Sequence, residues 1–358
     1  MNEIKAVLPP LFCPFEEKIH PKADWIQGQA TKWLDNIGLA RDSVHRGWLL
    51  ATDAGDAMSR IFPNGDESVV ALAAQWLFTT YDLDDRNFDL PGHTLGSADA
   101  VELASRFLRV LEAPGDAAMG DNSHMRAVQD YVVRMRAMAP MVQAERHIDA
   151  WRHLLLGFLW EVSNTERGLM PNFDDYARLR IPAGGGWLTL SWSEISSGHC
   201  IPEKEWRSPA FKAAAEAAFL VMGWDNDLVT HDRELELDPK SVNVVSVIAK
   251  QRKCSREEAI VEAISFRDRT LMFFLRMRAQ LFPSAAEGTR RYLDDLGHAI
   301  RANLDWGISA TRHTTVSPRT EIPVPGPRIP LVLSEKPSSY RTDPLPLPSI
   351  AWWWDHLD

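Results

Sequence analysis

Three oxygen-bearing side chains recur every four residues in the second half of the chain, at Asn226, Thr230 and Glu234. On an α-helix this spacing drifts by only about 40° per step, so the three side chains project from one face. An amide oxygen, a hydroxyl and a carboxylate make a hard, oxygen-only ligand set, which suits Mg²⁺ rather than zinc or copper. Arg233 lies beside Glu234 and supplies a cation where an anionic ligand of the metal would lie. The segment therefore predicts a magnesium site that also binds an anion.

The neighbours of this trio are apolar: Phe219, Leu220, Val221, Met222, Leu228 and Val229. The polar side chains thus interrupt a helix that otherwise has the composition of a buried one. Polar groups on a core-facing stripe are costly unless they are satisfied, and a metal–anion complex would satisfy them.

A second cluster, made of carboxylates, follows an apolar and aromatic-rich helical segment: Asp82, Asp84, Asp85 and Asp89. Like charges this close repel one another, and the carboxyl end of a helix is itself negative, so the arrangement is unfavourable without a cation. An isolated Asp-Asp pair would be interpreted as a solvated helix end. Because a second oxygen cluster lies on another apolar helix, we interpret this one as a metal site.

The two clusters resemble the motifs of bacterial class I terpene synthases, also called terpene cyclases. The string from Asn226 to Glu234 has the pattern Asn-Asp-Leu-x-Thr-x-x-Arg-Glu and matches one family motif at every defining position. The resemblance implies a single all-α class I terpenoid synthase bundle around a central apolar cavity, with the two motifs facing each other across it. It also implies that three Mg²⁺ ions grip the diphosphate of an isoprenyl substrate, with metal ligands from Asp84, Asp85, Asp89, Asn226, Thr230 and Glu234.

The Asp-rich motif can be placed in two registers. In the first, Asp84 and Asp85 form the pair and three residues separate them from Asp89. In the second, the motif starts at Asp82, and Leu83 then occupies the place of the second acid. We take Asp84 as the principal ligand and keep the Asp82 register as the alternative.

Further family landmarks occur at matching positions. Arg180 precedes Asn226 by the interval that is characteristic of the family's diphosphate-sensing arginine, and Gly184 stands at the family's helix break. Pro182 and three consecutive glycines from Gly184 cannot continue a helix, and they leave backbone groups free to face a ligand. The resemblance therefore implies that Arg180 and Gly184 take part in catalysis.

Near the end of the helical region the family carries an Arg-Tyr pair that binds diphosphate, where this chain has Arg312 and His313. A histidine can still donate a hydrogen bond. The resemblance implies that the cations around the diphosphate are Arg180, Arg233 and Arg312, which would neutralise the leaving group.

A carbocation needs a dry pocket whose walls attract it without reacting, and aromatic faces meet both needs. The aromatic residues near the motifs in sequence are Phe78, Tyr81, Trp187, Trp192 and Trp306. Trp306 is our preferred catalytic aromatic, because it lies within two helical turns of Arg312. Core packing is the simpler role for any one of the others.

Proline and glycine divide the chain into three parts. Residues 1–21 are proline-rich and expected to be extended, residues 22–316 show helical periodicity and form the catalytic domain, and residues 317–358 are a Pro/Trp-rich tail. The periodicity is clearest from Ala210 to Gly223 and from Ser255 to Leu281. The tail cannot form a regular core element. It therefore either extends irregularly away from the domain or packs over it.

Finer boundaries follow from capping and helix-breaking residues. Asp24 is a candidate N-cap for the first helix. No strand pattern of any length is apparent. Breaks are predicted near Pro63, Pro91, Pro114, Pro171 and Pro239.

Composition narrows the class of protein. The 358 residues are 45% hydrophobic and 25% charged, which is ordinary for a globular protein with a sizeable core. A net charge of −10 argues against a nucleic-acid partner. No apolar run reaches the length of about 18 residues that a membrane span needs. Three dispersed cysteines and the lack of a signal-peptide core at the N-terminus favour a cytoplasmic enzyme. The sequence leaves a homodimer open.

Two other functions fit parts of this pattern. A chain-elongating isoprenyl diphosphate synthase shares the fold and the ionisation chemistry, but it carries a second Asp-rich motif where this chain has Asn226, Thr230 and Glu234. A non-catalytic helical binding protein would use the acidic clusters only to hold surface cations. Among cyclase substrates, farnesyl diphosphate (C15) is the first candidate, geranylgeranyl diphosphate (C20) the second and geranyl diphosphate (C10) the third.

Overall fold

The computed structural model describes residues 8–88, 95–115, 122–315 and 317–358, and nearly all of its regular structure is helical. Two short strands, β1 (Leu11–Phe12) and β2 (Leu333–Ser334), form a parallel pair. The all-α class is confirmed, and this strand pair is the one sheet within the described ranges. The helices are α1 (Ala23–Ile37), α2 (Ser43–Leu50), α3 (Ala54–Ile61), α4 (Glu67–Asn87), α5 (Ser97–Glu112), α6 (Ser123–Met138), α7 (Met141–Glu166), α8 (Phe173–Ala183), α9 (Gly186–Ser197), α10 (Glu203–Trp206), α11 (Pro209–Leu237), α12 (Val244–Arg252), α13 (Arg256–Leu281), α14 (Glu287–Gly307), α15 (Thr311–Thr314), α16 (Pro348–Ala351) and a final 3₁₀ turn (Trp352–His356).

The two clearest periodic segments correspond to α11 and α13. Around α11 pack α8, α13 and α14, whereas α4 packs against α1, α3 and α6. Small residues such as Ala214 and Ala217 on α11 are fully buried, so neighbouring helices approach it closely. α11 is 29 residues long, but no helix in the described part of the chain is both long and apolar enough to cross a membrane.

The start of α1 differs from the prediction. Lys22 occupies the N-cap position and Asp24 lies in the first turn of the helix, so the assignment of Asp24 as the N-cap is wrong. The Nδ1 atom of His20 accepts the backbone N–H of Lys22 at 3.0 Å. The helix then begins at Ala23, one residue before Asp24. The carboxylate of Asp24 still lies at the positive end of the helix, where it is favourable.

The predicted break after Arg180 is present, but it begins later than expected. Pro182 lies inside α8, so the prediction that this proline cannot continue the helix is wrong. Pro182 has no backbone N–H to donate, but the helix continues only one residue beyond it, to Ala183. The break falls at Gly184 and Gly185, and Gly185 adopts the left-handed conformation with φ +70°. Gly186 then starts α9 against Phe219 of α11, where an added Cβ would lie only 2.3 Å from the Phe219 ring.

The C-terminal tail packs over the helical domain, which is the second of the two alternatives considered for it. Its strand β2 pairs with β1, and Arg269 of α13 binds Asp343 at 3.0 Å. The backbone N–H of Ser349 donates to Asp174 on α8 at 2.9 Å. Trp353 is fully buried and stacks near Phe273. The expectation that the tail has no regular core element therefore fails at its last turn.

Candidate functional site

The three residues of the Asn226 motif lie along α11, and Thr230 contacts both of the others. The Thr230 hydroxyl lies 2.5 Å from Glu234 Oε1 and 2.7 Å from the backbone oxygen of Asn226, either of which can accept its hydrogen. The other carboxylate oxygen of Glu234 accepts hydrogen bonds from Asn243 at 2.9 Å and from Ser241 at 3.3 Å. These contacts fix the direction of the hydroxyl and the carboxylate.

Glu234 lies where a negative charge is disfavoured. Burial raises the pKa of its carboxyl group and the charge of Asp227 raises it further, while hydrogen bonds from Thr230 and Asn243 act in the opposite direction. A divalent cation would offset this cost, and the oxygen ligands present fit Mg²⁺. Across the described ranges, no three His, Cys, Asp or Glu side chains form a group that could hold a metal ion. A metal at this motif therefore depends on the amide and hydroxyl oxygens as well as on the carboxylate.

Arg180 extends from α8 onto α11. Its Nη2 atom lies 2.8 Å from Asp227 Oδ1 and 3.1 Å from the side-chain oxygen of Asn226. Gly223 permits this approach, because a Cβ there would lie 2.9 Å from Arg180 Cγ. Arg178 is exposed and pairs with acidic residues of its own helix. The structure therefore brings Arg180, and not Arg178, to the Asn226 motif.

Asp227 is a functional candidate that the sequence analysis missed. Besides its ion pair with Arg180, it accepts hydrogen bonds from the hydroxyl of Tyr176 and, at 2.9 Å, from the backbone N–H of Val244. Asp227 is buried, so these donors hold it in one position. A signal was present, because Asp227 is the second residue of the matched motif. Its side chain binds α8 rather than the ligand trio, and spacing alone did not reveal that contact.

The acidic residues at the Asp-rich end of α4 lie in two different environments. Asp82 is fully buried and contacts Arg86 at 2.6 Å, His124 at 2.6 Å and His45 at 2.9 Å. Burial alone would raise the pKa of Asp82, but hydrogen bonds from His124 and His45 together with the nearby charges hold it well below its usual range. Three protein groups thus already occupy the Asp82 carboxylate, which favours the register that starts at Asp84.

Asp85 contacts two cations from the C-terminal part of the chain. Its two oxygens lie 3.2 Å from Arg312 Nη2 and 3.3 Å from Arg319 Nη1. Asp84 is partly buried beside it. Asp89 lies outside the described residues, so its place in the site stays a prediction. Arg319 had no signal in the sequence, because it lies in the proline-rich tail without a motif around it.

Arg312 and two aromatic residues lie together next to Asp85. The Arg312 guanidinium lies 3.9 Å from the centroid of the Tyr81 ring, which is close enough for a cation–π contact. The Tyr81 and Trp306 rings are 6.2 Å apart. The indole N–H of Trp306 donates to the backbone oxygen of Thr52 at 2.7 Å, which fixes the plane of the ring. Two of the five candidate aromatics thus lie beside the Asp-rich motif.

The remaining three candidate aromatics belong to the hydrophobic core or pack against it. Phe78 and Trp192 are fully buried, and Trp192 packs against Trp76 at 6.0 Å. Trp187 packs edge-on against Phe219 at 5.0 Å, near the start of α9. Their role in a carbocation pocket stays a prediction.

His313 is held as a neutral ring. Its Nδ1 atom lies 3.0 Å from the backbone oxygen of Gly307, and a carbonyl oxygen can only accept, so Nδ1 carries the hydrogen. Burial and then the charges of Arg312, Arg233 and Arg319 lower the pKa of His313 to about 3. Its one ring hydrogen is therefore bound to Gly307, and donation to a diphosphate would require a different tautomer. A Cβ on Gly307 would lie 3.7 Å from Val229 Cγ1, so the α11 motif and the segment that precedes Arg312 are close.

Comparison with known proteins agrees with this geometry. The family model described as terpene synthase family 2, C-terminal metal binding, matches residues 74–271. Spiroviolene synthase from Streptomyces violens is 30% identical, and the match covers 99% of this chain and 98% of that protein. Bonnadiene synthase from Allokutzneria albata is also 30% identical, with 97% of each chain covered.

Solved structures give the same result for the fold. The SVS_A2 protein, obtained by ancestral sequence reconstruction, superposes with a TM-score of 0.86 at 33% identity, over 97% of this chain and 98% of that one. An α-eudesmol synthase superposes with a TM-score of 0.72 at 18% identity, over 84% of this chain and 98% of that one, which supports the fold alone.

Proposed function

Because the chain belongs to the terpene synthase family, we propose that it ionises a linear isoprenyl diphosphate and cyclises the resulting carbocation to a terpene hydrocarbon or alcohol. It is a class I terpene cyclase, a lyase that acts on a carbon–oxygen bond. The observation that best supports the proposed chemistry is the position of Arg180, which reaches Asn226 and Asp227 across two helices.

We propose that the metal is Mg²⁺ and that three ions take part. The donor set is made of carboxylate, amide and hydroxyl oxygens, which are the ligands that Mg²⁺ prefers. When bound, the metal would withdraw charge from the diphosphate and so assist cleavage of the allylic C–O bond. The residues that would hold it are Asp84, Asp85, Asp89, Asn226, Thr230 and Glu234.

In this proposal, three arginines bind and orient the diphosphate of the substrate: Arg180, Arg233 and Arg312. Arg180 lies on α8, Arg233 on α11 and Arg312 on α15, so the three proposed cations come from three elements. Positive groups fixed in advance stabilise the charge that develops on a leaving group without costly rearrangement. His313 lies among them and adds no charge of its own, because its pKa is lowered to about 3.

Tyr81 and Trp306 are proposed to face the reacting hydrocarbon. Their rings lie 6.2 Å apart and next to Arg312, so a carbocation formed at the diphosphate would first meet them. An aromatic face attracts a cation and does not capture it as water would. We also propose that the effect of diphosphate binding at Arg180 reaches the helix break at Gly184.

The chain length of the substrate is proposed to be C15 or C20. A relative from Streptomyces that is 27% identical is named diterpene cyclase DtcycA, and a 25% identical relative from Streptomyces clavuligerus is named as a farnesyl diphosphate-cyclizing T-muurolol synthase. Both names are compatible with the site described here, which is built around the diphosphate and not around the hydrocarbon tail.

A substrate panel tests the proposal. The full chain is incubated with geranyl, farnesyl or geranylgeranyl diphosphate and Mg²⁺, and with EDTA or as the Glu234→Gln variant as controls. Products are identified by gas chromatography with mass spectrometry, and released diphosphate is measured. We expect a cyclic product from the C15 or the C20 substrate in the presence of metal. Release of no diphosphate from any of the three substrates would overturn the proposal, and isopentenyl-dependent formation of longer diphosphates would replace it with chain elongation.

A further inference from the structure

The segment at residues 317–329, which we call the C-terminal strap, lies outside the helical domain but is attached to it at several points. The indole N–H of Trp48 on α2 donates to the backbone oxygen of Glu321 at 2.9 Å. The backbone N–H of Val324 donates to the hydroxyl of Thr315 at 3.2 Å. Ile329 donates to the backbone oxygen of Ile308 at 3.0 Å. The strap is therefore held on one side by α2 and on the other by the segment that follows α14.

A glycine on α2 allows the strap to lie close to the helix. A Cβ on Gly47 would lie 3.0 Å from Pro323 Cδ and 3.1 Å from Ile322 Cγ2, so a side chain there would push the strap away. Pro323 is buried at this contact. Near its start, the strap contacts the Asp-rich end of α4 through Arg319 and Asp85.

Arg319 is the residue that the strap brings to the site. Its Nη1 atom lies 3.3 Å from Asp85 Oδ2, and its guanidinium lies 4.1 Å from the centroid of the Trp48 ring. Its side chain is 20% exposed, so it borders solvent beside Asp85. The Trp48 ring is itself buried, which leaves the guanidinium little freedom to turn away. Trp48 and Asp85 together fix the direction of Arg319.

Two guanidinium groups converge on Asp85. Arg312 and Arg319 both bind this one carboxylate, and the charges of Arg312, Arg233 and Arg319 all act on His313. Arg319 therefore adds a positive field beside Arg312, the arginine that is proposed to bind the diphosphate. A multiply charged anion is the ligand chemistry that such a field favours, and arginine binds phosphate oxygens with two parallel hydrogen bonds.

We infer that Arg319 binds the substrate diphosphate, with Trp48 as the positioning residue that holds its guanidinium beside Asp85. This inference rests on the proposed function and adds to it a cation that lies outside both motifs and beyond residues 74–271, which the family model matches. The strap thus contributes directly to substrate binding and does not only cover the domain.

The test measures binding of inorganic diphosphate in the presence of Mg²⁺ by isothermal titration calorimetry. The variants are Arg319→Gln, Arg319→Lys and Trp48→Leu, and the matched control is Arg328→Gln, which removes one exposed positive charge from the same strap. We expect Arg319→Gln to weaken diphosphate binding at least about 10-fold. Arg319→Lys should recover part of the loss, Trp48→Leu should weaken binding several-fold, and Arg328→Gln should bind within about 2-fold of the unaltered chain.

Kinetics and unfolding separate binding from a purely structural role. A diphosphate-binding arginine should raise KM when it is replaced by glutamine, with a smaller change in kcat, at a nearly unchanged melting temperature. Unaltered affinity in Arg319→Gln combined with a lower melting temperature would overturn the inference, because Arg319 would then only attach the strap. If Arg319→Gln does not fold, unaltered affinity in Arg319→Lys and Trp48→Leu would overturn it equally. Absence of diphosphate binding by the unaltered chain would instead overturn the proposed function.

Discussion

The guanidinium of Arg180 on α8 lies 2.8 Å from the carboxylate of Asp227 on α11. Asp227 is buried and also accepts hydrogen bonds from Tyr176 and from the backbone of Val244. One ion pair therefore sets the position of the arginine that we expect to bind the diphosphate. It also ties that arginine to the helix that carries the trio proposed to bind the metal, so the two parts of the proposed site are held in a fixed relation to each other.

Replacing Arg180 by alanine should lower kcat/KM by about 100-fold or more, since one preorganised charge group is typically worth that much. Arg178→Ala is the matched control, because Arg178 is exposed two residues away on another face of α8. We expect Arg178→Ala to stay within about 3-fold of the unaltered enzyme. Steady-state kinetics with farnesyl and geranylgeranyl diphosphate measure both variants. Equal losses in the two would contradict the assignment of Arg180.

Asp227→Asn should lower kcat/KM by about 10- to 100-fold, because Asp227 acts through Arg180. A double-mutant cycle tests this dependence. In the Arg180→Ala background, Asp227→Asn should add almost nothing, whereas independent effects would multiply. Asp232→Asn on the same helix is the control, since Asp232 binds Arg256 away from the trio. Fully multiplicative effects of Arg180→Ala and Asp227→Asn would show that Asp227 does not position Arg180.

Glu234→Gln should nearly abolish turnover and leave the far-ultraviolet circular dichroism spectrum unchanged. The amide keeps the shape of the side chain but removes the one carboxylate of the trio, so metal affinity falls. Raising the Mg²⁺ concentration should recover part of the activity, and EDTA should abolish the activity of the unaltered enzyme. Activity close to that of the unaltered enzyme at low Mg²⁺ would exclude Glu234 as a metal ligand.

Asp84→Asn should mainly lower activity, whereas Asp82→Asn should mainly lower stability. Asp84→Asn should lower activity strongly with little effect on the melting temperature. Asp82→Asn weakens a fully buried carboxylate that contacts His45, His124 and Arg86, so it should cost up to about 3–5 kcal/mol of stability and lower activity less per folded molecule. Chemical denaturation and kinetics on the same samples distinguish the two. The opposite ranking of activity would place the start of the motif at Asp82.

His147 should make the protein less stable as the pH falls below about 6.5. The ring is fully buried against Trp192, and burial lowers its pKa to about 3. Between these two pKa values His147 is protonated in the unfolded chain and neutral in the folded chain. Lowering the pH therefore reduces the free energy of unfolding by up to about 1.4 kcal/mol per pH unit. Urea denaturation at pH 7, 6 and 5 measures this slope. His147→Asn should reduce it, and an identical slope in the variant would contradict the prediction.

The parts of the site that follow from local periodicity could be predicted from the sequence. Asn226, Thr230 and Glu234 share a helix, and the contact between Thr230 and Glu234 agrees with the expected common face. The all-α class followed from long periodic segments such as the one that forms α13. Helical spacing is a property of neighbouring residues, and no knowledge of the tertiary fold is needed to use it.

The parts that depend on distant contacts could not be predicted. Arg319 reaches Asp85 only because the strap lies over α2, and nothing in a proline-rich segment specifies that path. The role of Asp82 depends on two histidines from other helices, so sequence alone left its register open. Pro182 was misjudged because a proline removes one backbone N–H without fixing the residue at which the helix ends, which here is Ala183.

The pairing of β1 with β2 determines when folding can finish during synthesis. Leu11 pairs with Leu333, and the buried guanidinium of Arg267 binds the backbone oxygen of Phe12 in the same strand. On the ribosome β1 emerges more than three hundred residues before its partner strand. At about 5–20 residues per second this delay is on the order of tens of seconds. The helices can assemble in that time, but the N-terminal strand stays unpaired until the last part of the chain has been translated.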